Sequence, residues 1–289
     1  MSDDRERPLG VFDSGLGGLT VVRSLARVLP AERMVYFGDT ARLPYGNKSR
    51  ATVTRLSLEA LRFLEHFDMK LLVVACNSAS ALALDALQAA ASVPVLGVVE
   101  AGARSAREAT RNGRIGVVGT RGTVGSGCYE AALRTLDPAV SVTAAACPLF
   151  VPRVEEGWTD APVTRQVALV YLEPVVRAGV DTLILGCTHY PLLREVIGRV
   201  MGEHVVLIDS GEAVAGDVAR HLRERGLEAA PGDRAPHRFF VSDQPERFLD
   251  EGSRFLGKDL LGRVESVDQS DLPWYDRRAP QGPPPNEAS

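Results

Sequence analysis

Three kinds of residue or segment are scarce in this 289-residue chain, and each scarcity narrows what the protein can be. Only three lysines occur, Lys48, Lys70 and Lys258. A pyridoxal phosphate enzyme holds its cofactor through a Schiff-base lysine, and none of the three follows a strand at an expected ligand-facing edge. The four cysteines, Cys76, Cys128, Cys147 and Cys187, lack CxxC spacing, so neither a zinc cage nor a disulfide framework is expected. Long apolar runs are missing too. No stretch approaches the roughly 20 residues that span a bilayer, and the opening MSDDRERPLG has no apolar signal core. The expectation is a cytoplasmic protein with free thiols, no metal and no membrane partner. A net charge of −4 gives no reason to expect nucleic acid, while a locally positive site for an acidic substrate stays open.

What the chain does contain is an alternation of strand-like and helical patterns. Short apolar runs predict strands at 9–13, 34–38, 70–75, 94–99, 114–119, 141–146, 181–186, 204–209 and 238–242. Continuous apolar runs suit strands covered on both faces of a parallel sheet. In 49–67, Val53, Leu56, Ala60, Phe63 and Phe67 recur at spacings of three and four and make one apolar stripe. A second helix is expected over 211–225, capped by Ser210 and ended by Gly226. Pro162 and Pro191 sit where a first helical turn tolerates proline, whereas Pro174 is expected to kink or split its helix. The alternation argues for doubly wound α/β units. At this length two domains are expected rather than one core: residues 1–98 plus 209–270, and residues 99–208. Residues 271–289, rich in proline and polar groups, are expected to form a disordered tail.

Two cysteines 111 residues apart sit in matched settings. Cys76 ends the run Leu71-Leu72-Val73-Val74-Ala75 and precedes Asn77-Ser78; Cys187 ends Leu183-Ile184-Leu185-Gly186 and precedes Thr188-His189. In both, a strand runs into Cys, then small polar residues, then a helical pattern. Such a strand end faces the crevice where open parallel sheets bind ligands, near a helix N-terminus that favours thiolate. For a single cysteine, burial as a small hydrophobe is the commoner explanation; two in equivalent places point to a pair of acid/base groups on either side of one ligand. Cys128 and Cys147 lack this setting and are read as structural.

The other polar loops are less specific. Asp13-Ser14-Gly15-Leu16-Gly17-Gly18 fails the dinucleotide fingerprint, because Thr20 stands at the third glycine position, and no Walker lysine follows. It reads equally well as a tight turn with a capping serine and as a backbone cradle for a small carboxylate. Gly38-Asp39-Thr40 and Pro44-Tyr45-Gly46-Asn47 follow the second strand at the same edge. His189 is the one histidine beside a candidate reactive group; His66, His204, His221 and His237 are expected at the surface. Glu155 and Glu156 are solvated charges unless the fold brings them to the cleft.

Taken together, FDSGLGGLTV (12–21), YFGDTARLPYG (36–46), VVACNSAS (73–80), CPLFVPRVEEG (147–157) and LILGCTHYPLL (183–193) resemble the cofactor-independent, two-cysteine aspartate/glutamate racemase family, in order and spacing, up to about residue 270. Ser78 departs from the family's usual threonine and keeps the hydroxyl. The resemblance implies two similar flavodoxin-like α/β domains, with mostly parallel sheets, facing each other across a central cleft. It implies interconversion of L- and D-glutamate for peptidoglycan, no cofactor, and a homodimer. By the same resemblance Cys76 and Cys187 are the catalytic acid/base pair, supported by Asp13 on one side and by His189 and Glu155 on the other. Asp13, Ser14, Tyr45, Gly46, Asn77, Ser78, Thr188 and His189 would hold the substrate.

The chemistry agrees with that assignment. Racemisation removes a proton from one face of the α-carbon and delivers another to the opposite face, which one thiolate and one thiol do in either direction. A free thiol, with a pKa of about 8.5, is expected to be tuned downward for this task. Two rivals stay open: a relative acting on aspartate, one methylene shorter, and a binding module whose thiols are inert.

Overall fold

The computed structural model describes residues 4–232, 236–256, 263–267 and 273–276. In chain order the elements are β1 (Leu9–Asp13), α1 (Leu19–Val28), β2 (Met34–Gly38), α2 (Arg50–Glu65), β3 (Leu71–Val74), α3 (Asn77–Ala90), β4 (Val95–Gly97) and α4 (Val98–Ala109). The chain continues through β5 (Arg114–Gly119), α5 (Arg121–Gly125), α6 (Cys128–Leu136), β6 (Ser141–Ala146), α7 (Phe150–Glu155), α8 (Pro162–Arg177), β7 (Thr182–Gly186) and α9 (Arg194–Met201). It ends with β8 (Val206–Asp209), α10 (Ser210–Glu224), β9 (Arg238–Val241), α11 (Pro245–Leu256) and β10 (Val264–Ser266).

Two sheets form, with strand orders β10-β9-β2-β1-β3-β4 and β6-β5-β7-β8, and every pairing in them is parallel. These are two doubly wound α/β domains. The central strands β1, β3 and β7 are buried along their whole length, which is why they read as unbroken apolar runs. Residues of both sheets join one apolar cluster that includes Leu9, Leu71, Val118, Leu183, Val214 and Phe248. Each such side chain contributes about 1.5–3 kcal/mol by leaving water.

Register decides where the chemistry sits. Phe12 pairs with both Phe37 and Val74, so Asp13, Gly38 and Cys76 leave their strands at one edge. Gly119 pairs with both Ala146 and Gly186, so Thr120, Cys147 and Cys187 leave theirs together. The chain passes between the sheets through α4 and again through α10, and these two helices pack on each other.

Four details differ from the sequence reading. Helix α8 runs unsplit through Pro174; the carbonyl that loses its N–H partner belongs to Val170, which is 71% exposed and open to water. The cap of α10 is Asp209, not Ser210: its carboxylate accepts from the N–H groups of Gly211 at 2.8 Å and Glu212 at 3.3 Å. The three-residue edge strand β10 has no alternation to announce it. Within the stretch expected as a loose tail, residues 274–276 form a short 3₁₀ turn. Trp274 is fully buried, stacked on Phe37 and under the Arg42 guanidinium; most of the remaining tail lies outside the described residues.

Candidate active site

Cys76 caps α3. Its sulfur accepts from the Ala79 N–H and donates to Ser14 Oγ, both at 3.5 Å. It is 5% exposed. Burial, with the Asp13 carboxylate and then Cys187 adding to it, pushes the thiol up to about 12 against the opposition of Ser14 and the Ala79 N–H. The downward tuning expected from a helix N-terminus is therefore not what Cys76 experiences: dehydration of a would-be thiolate outweighs the first-turn N–H groups. Asp13 is itself buried; its Oδ2 accepts from the Gly15 N–H at 2.9 Å and its Oδ1 from Thr188 Oγ1 at 3.5 Å. Burial raises its pKa, opposed by His189 and by these donors.

Cys187 follows β7 and faces a different partner. His189 Nδ1 lies 3.9 Å from its sulfur, and His189 Nε2 lies 3.2 Å from Glu155 Oε1. Burial pulls the imidazole down, but hydrogen bonds to Cys187 and Glu155 and their charges outweigh it and raise it to about 10. At neutral pH the ring is a cation beside the sulfur. It packs against Phe255 in a T-shaped arrangement, the ring centroids 5.4 Å apart. Of the two adjacent glutamates, Glu155 at the end of α7 reaches the site and Glu156 stays exposed.

The remaining residues fall into two groups. Ser78, on the Cys76 side, meets Thr120 and Thr123 of the other domain at 2.9 and 3.4 Å, and those two hydroxyls are 3.1 Å apart. Gly46 lies against the same threonine: a Cβ there would come within 2.5 Å of Thr120 Cβ, so only glycine permits the approach. Tyr45 and Asn77, by contrast, spend their side chains on protein. The Tyr45 hydroxyl donates to Asp39 at 2.5 Å. The Asn77 amide is held by Tyr129 and Ser210. Thr120, Thr123, Tyr129 and Ser210 carry no motif, and only the register of the two sheets brings them to the site. Cys147 is buried near enough for Cys187, after burial, to help push its thiol up to about 12.

A family model for Asp/Glu/Hydantoin racemases matches residues 9–218. The chain belongs to this racemase family. A glutamate racemase of Geobacter metallireducens is 55% identical over 261 residues, covering 90% of this chain and 96% of the relative. The crystal structure of a glutamate racemase isoform from Bacillus anthracis superposes with a TM-score of 0.88 at 42% identity, covering 92% of this chain and 98% of that one. A glutamate racemase from Francisella tularensis, solved in complex with D-glutamate, gives 0.85 at 36% identity, with 91% and 98% covered. The racemase fold in this chain thus carries its two matched cysteines at the sheet edges where its domains meet.

Proposed function

We propose that this protein is a glutamate racemase working through Cys76 and Cys187 without a cofactor. The observation that carries the reading is the pair itself: two buried thiols, one from each sheet, close enough for the charge of one to act on the other. Close relatives named glutamate racemase, over nearly the whole chain, support glutamate as the substrate.

In the L-to-D direction one sulfur, as thiolate, takes the α-proton and becomes a thiol. The opposite thiol gives its proton to the other face and becomes the thiolate, so the enzyme ends with its charges exchanged. The reverse direction runs the same steps backward. Charge that builds on the substrate carboxylate is met by the free N–H groups that begin α3 and by the loop after β1. The hydroxyls of Ser78, Thr120 and Thr123 supply donors for a second carboxylate. Asp13 serves the Cys76 side, and His189 with Glu155 the Cys187 side.

The domain units in this reading are residues 1–98 with 209–270, and residues 99–208. The product would feed peptidoglycan synthesis in the cytoplasm, from a homodimer whose mass light scattering would report. The deciding experiment is incubation with L-glutamate and, separately, L-aspartate, without added cofactor and in deuterated water. Loss of optical rotation together with α-deuterium incorporation is expected with glutamate. Activity on aspartate alone, or binding of glutamate with no exchange, would overturn the proposal.

A further inference from the structure

We infer that Tyr129 is a positioning residue that sets the spacing of the two thiols through the side-chain amide of Asn77. This rests on the reading of Cys76 and Cys187 as the reacting pair.

A directed chain of hydrogen bonds crosses between the domains. The Tyr129 hydroxyl, on α6, donates to Asn77 Oδ1 at 2.6 Å. Asn77 Nδ2 donates to Ser210 Oγ at 3.3 Å. The Ser210 hydroxyl, at the start of α10, donates in turn to the carbonyl of Leu185 at 3.3 Å. The chain starts at Tyr129, passes through Asn77, the neighbour of Cys76, and ends at Leu185, two residues before Cys187. All four residues are buried, so each donor and acceptor left without its partner is costly.

The chain has one direction. If the Asn77 amide turned over, its oxygen would face Ser210, whose single proton already serves Leu185. The Tyr129 ring has little freedom to follow such a change. A Cβ on Gly186, the residue before Cys187, would stand 3.1 Å from Tyr129 Cε2, so the ring lies directly on the strand that delivers the second thiol. Burial keeps the phenol protonated, raising it well above its usual value, and it therefore remains a donor. Tyr129 bonds to the residue after one thiol and packs on the residue before the other, which makes it a keystone rather than a reacting group. Proton transfer is sensitive to such placement, since an error of about 1 Å costs on the order of 10²-fold.

Tyr129→Phe keeps the ring and removes the hydroxyl. With glutamate as substrate, kcat is expected to fall about tenfold, or about 1.4 kcal/mol, while KM stays within about twofold and the α-deuterium isotope effect rises. In an Asn77→Ala background the same change is expected to add nothing further. Should Tyr129→Phe fold poorly, Ser210→Ala breaks the chain one link on and is expected to give the same split between kcat and KM. A kcat within twofold of the unaltered protein, or a full additional loss in the Asn77→Ala background, would overturn the inference. Unaltered protein that exchanges no α-proton removes the racemase reading and this one with it. An active enzyme indifferent to Tyr129→Phe removes this one alone.

Discussion

Cys76 and Cys187 both follow central buried strands, Cys76 as the cap of α3 and Cys187 entering a turn and a 3₁₀ helix, and the charges around them are opposite. Cys76 sits beside the Asp13 carboxylate and is pushed up to about 12. Cys187 sits 3.9 Å from an imidazole that Glu155 helps to hold as a cation. Matched sequence positions therefore carry unequal electrostatic surroundings. The proposed two-base exchange calls for unlike partners, because a pair of thiols could not remove the proton and a pair of thiolates could not return one.

The strongest test of the comparison removes either sulfur. Cys76→Ala and Cys187→Ala are each expected to lower racemisation by about 10²–10⁴-fold, the usual value of a positioned acid or base, with the fold retained by circular dichroism. Near-normal turnover in either variant would break the pairing. A smaller effect is expected from Glu155→Gln, roughly tenfold in kcat. It should slow proton abstraction from one enantiomer more than from the other, as read from isotope effects on α-deuterated L- and D-glutamate. Equal slowing would detach Glu155 from the Cys187 half.

Acid–base linkage sharpens the contrast further. His189 holds its proton in the folded protein up to about pH 10, against about 6.5 for an unperturbed imidazole. Its stabilisation is then complete below pH 6.5 and is lost as pH rises through about 10. Cys76, raised to about 12, adds a decline of its own only above the ordinary thiol range of about 8.5. Melting temperatures of His189→Asn between pH 7 and 8.5 are expected to fall less steeply than those of the unaltered chain; parallel slopes would count against a protonated His189. The mildest change is Ser78→Thr, which adds a methyl beside Thr120 and is expected to alter kcat/KM by less than about threefold.

Much of this was legible in the sequence. Strands 9–13, 34–38 and 114–119 stand where the apolar runs put them, because a doubly covered strand writes its burial directly into composition; strand 141–146 is also in place, although at the sheet edge it is largely half-buried. The cysteine pair, with His189 beside Cys187, was visible at strand ends, whereas Glu155 read as a solvated charge and entered only through the family resemblance. The choice of Glu155 over Glu156 was not visible, since it depends on how the last turn of α7 is rotated. Tyr129, Thr123 and Ser210 escaped for a related reason: each is an ordinary helical residue until the second sheet is set against the first. The direction of the Cys76 shift was misjudged because helix-end attraction can be read from local sequence, whereas dehydration depends on everything packed around the sulfur. Asp209 won the cap from Ser210 because the serine hydroxyl was already committed to Leu185.

The passage of the chain through α4 and α10 has a mechanical corollary. The sulfurs ride on separate sheets, so their gap is governed by the seam between the domains and not by the interior of either. Seams open before interiors dissolve. Low concentrations of urea are therefore expected to silence turnover while helical ellipticity is still intact, and glutamate, by bridging both sides, should postpone that loss.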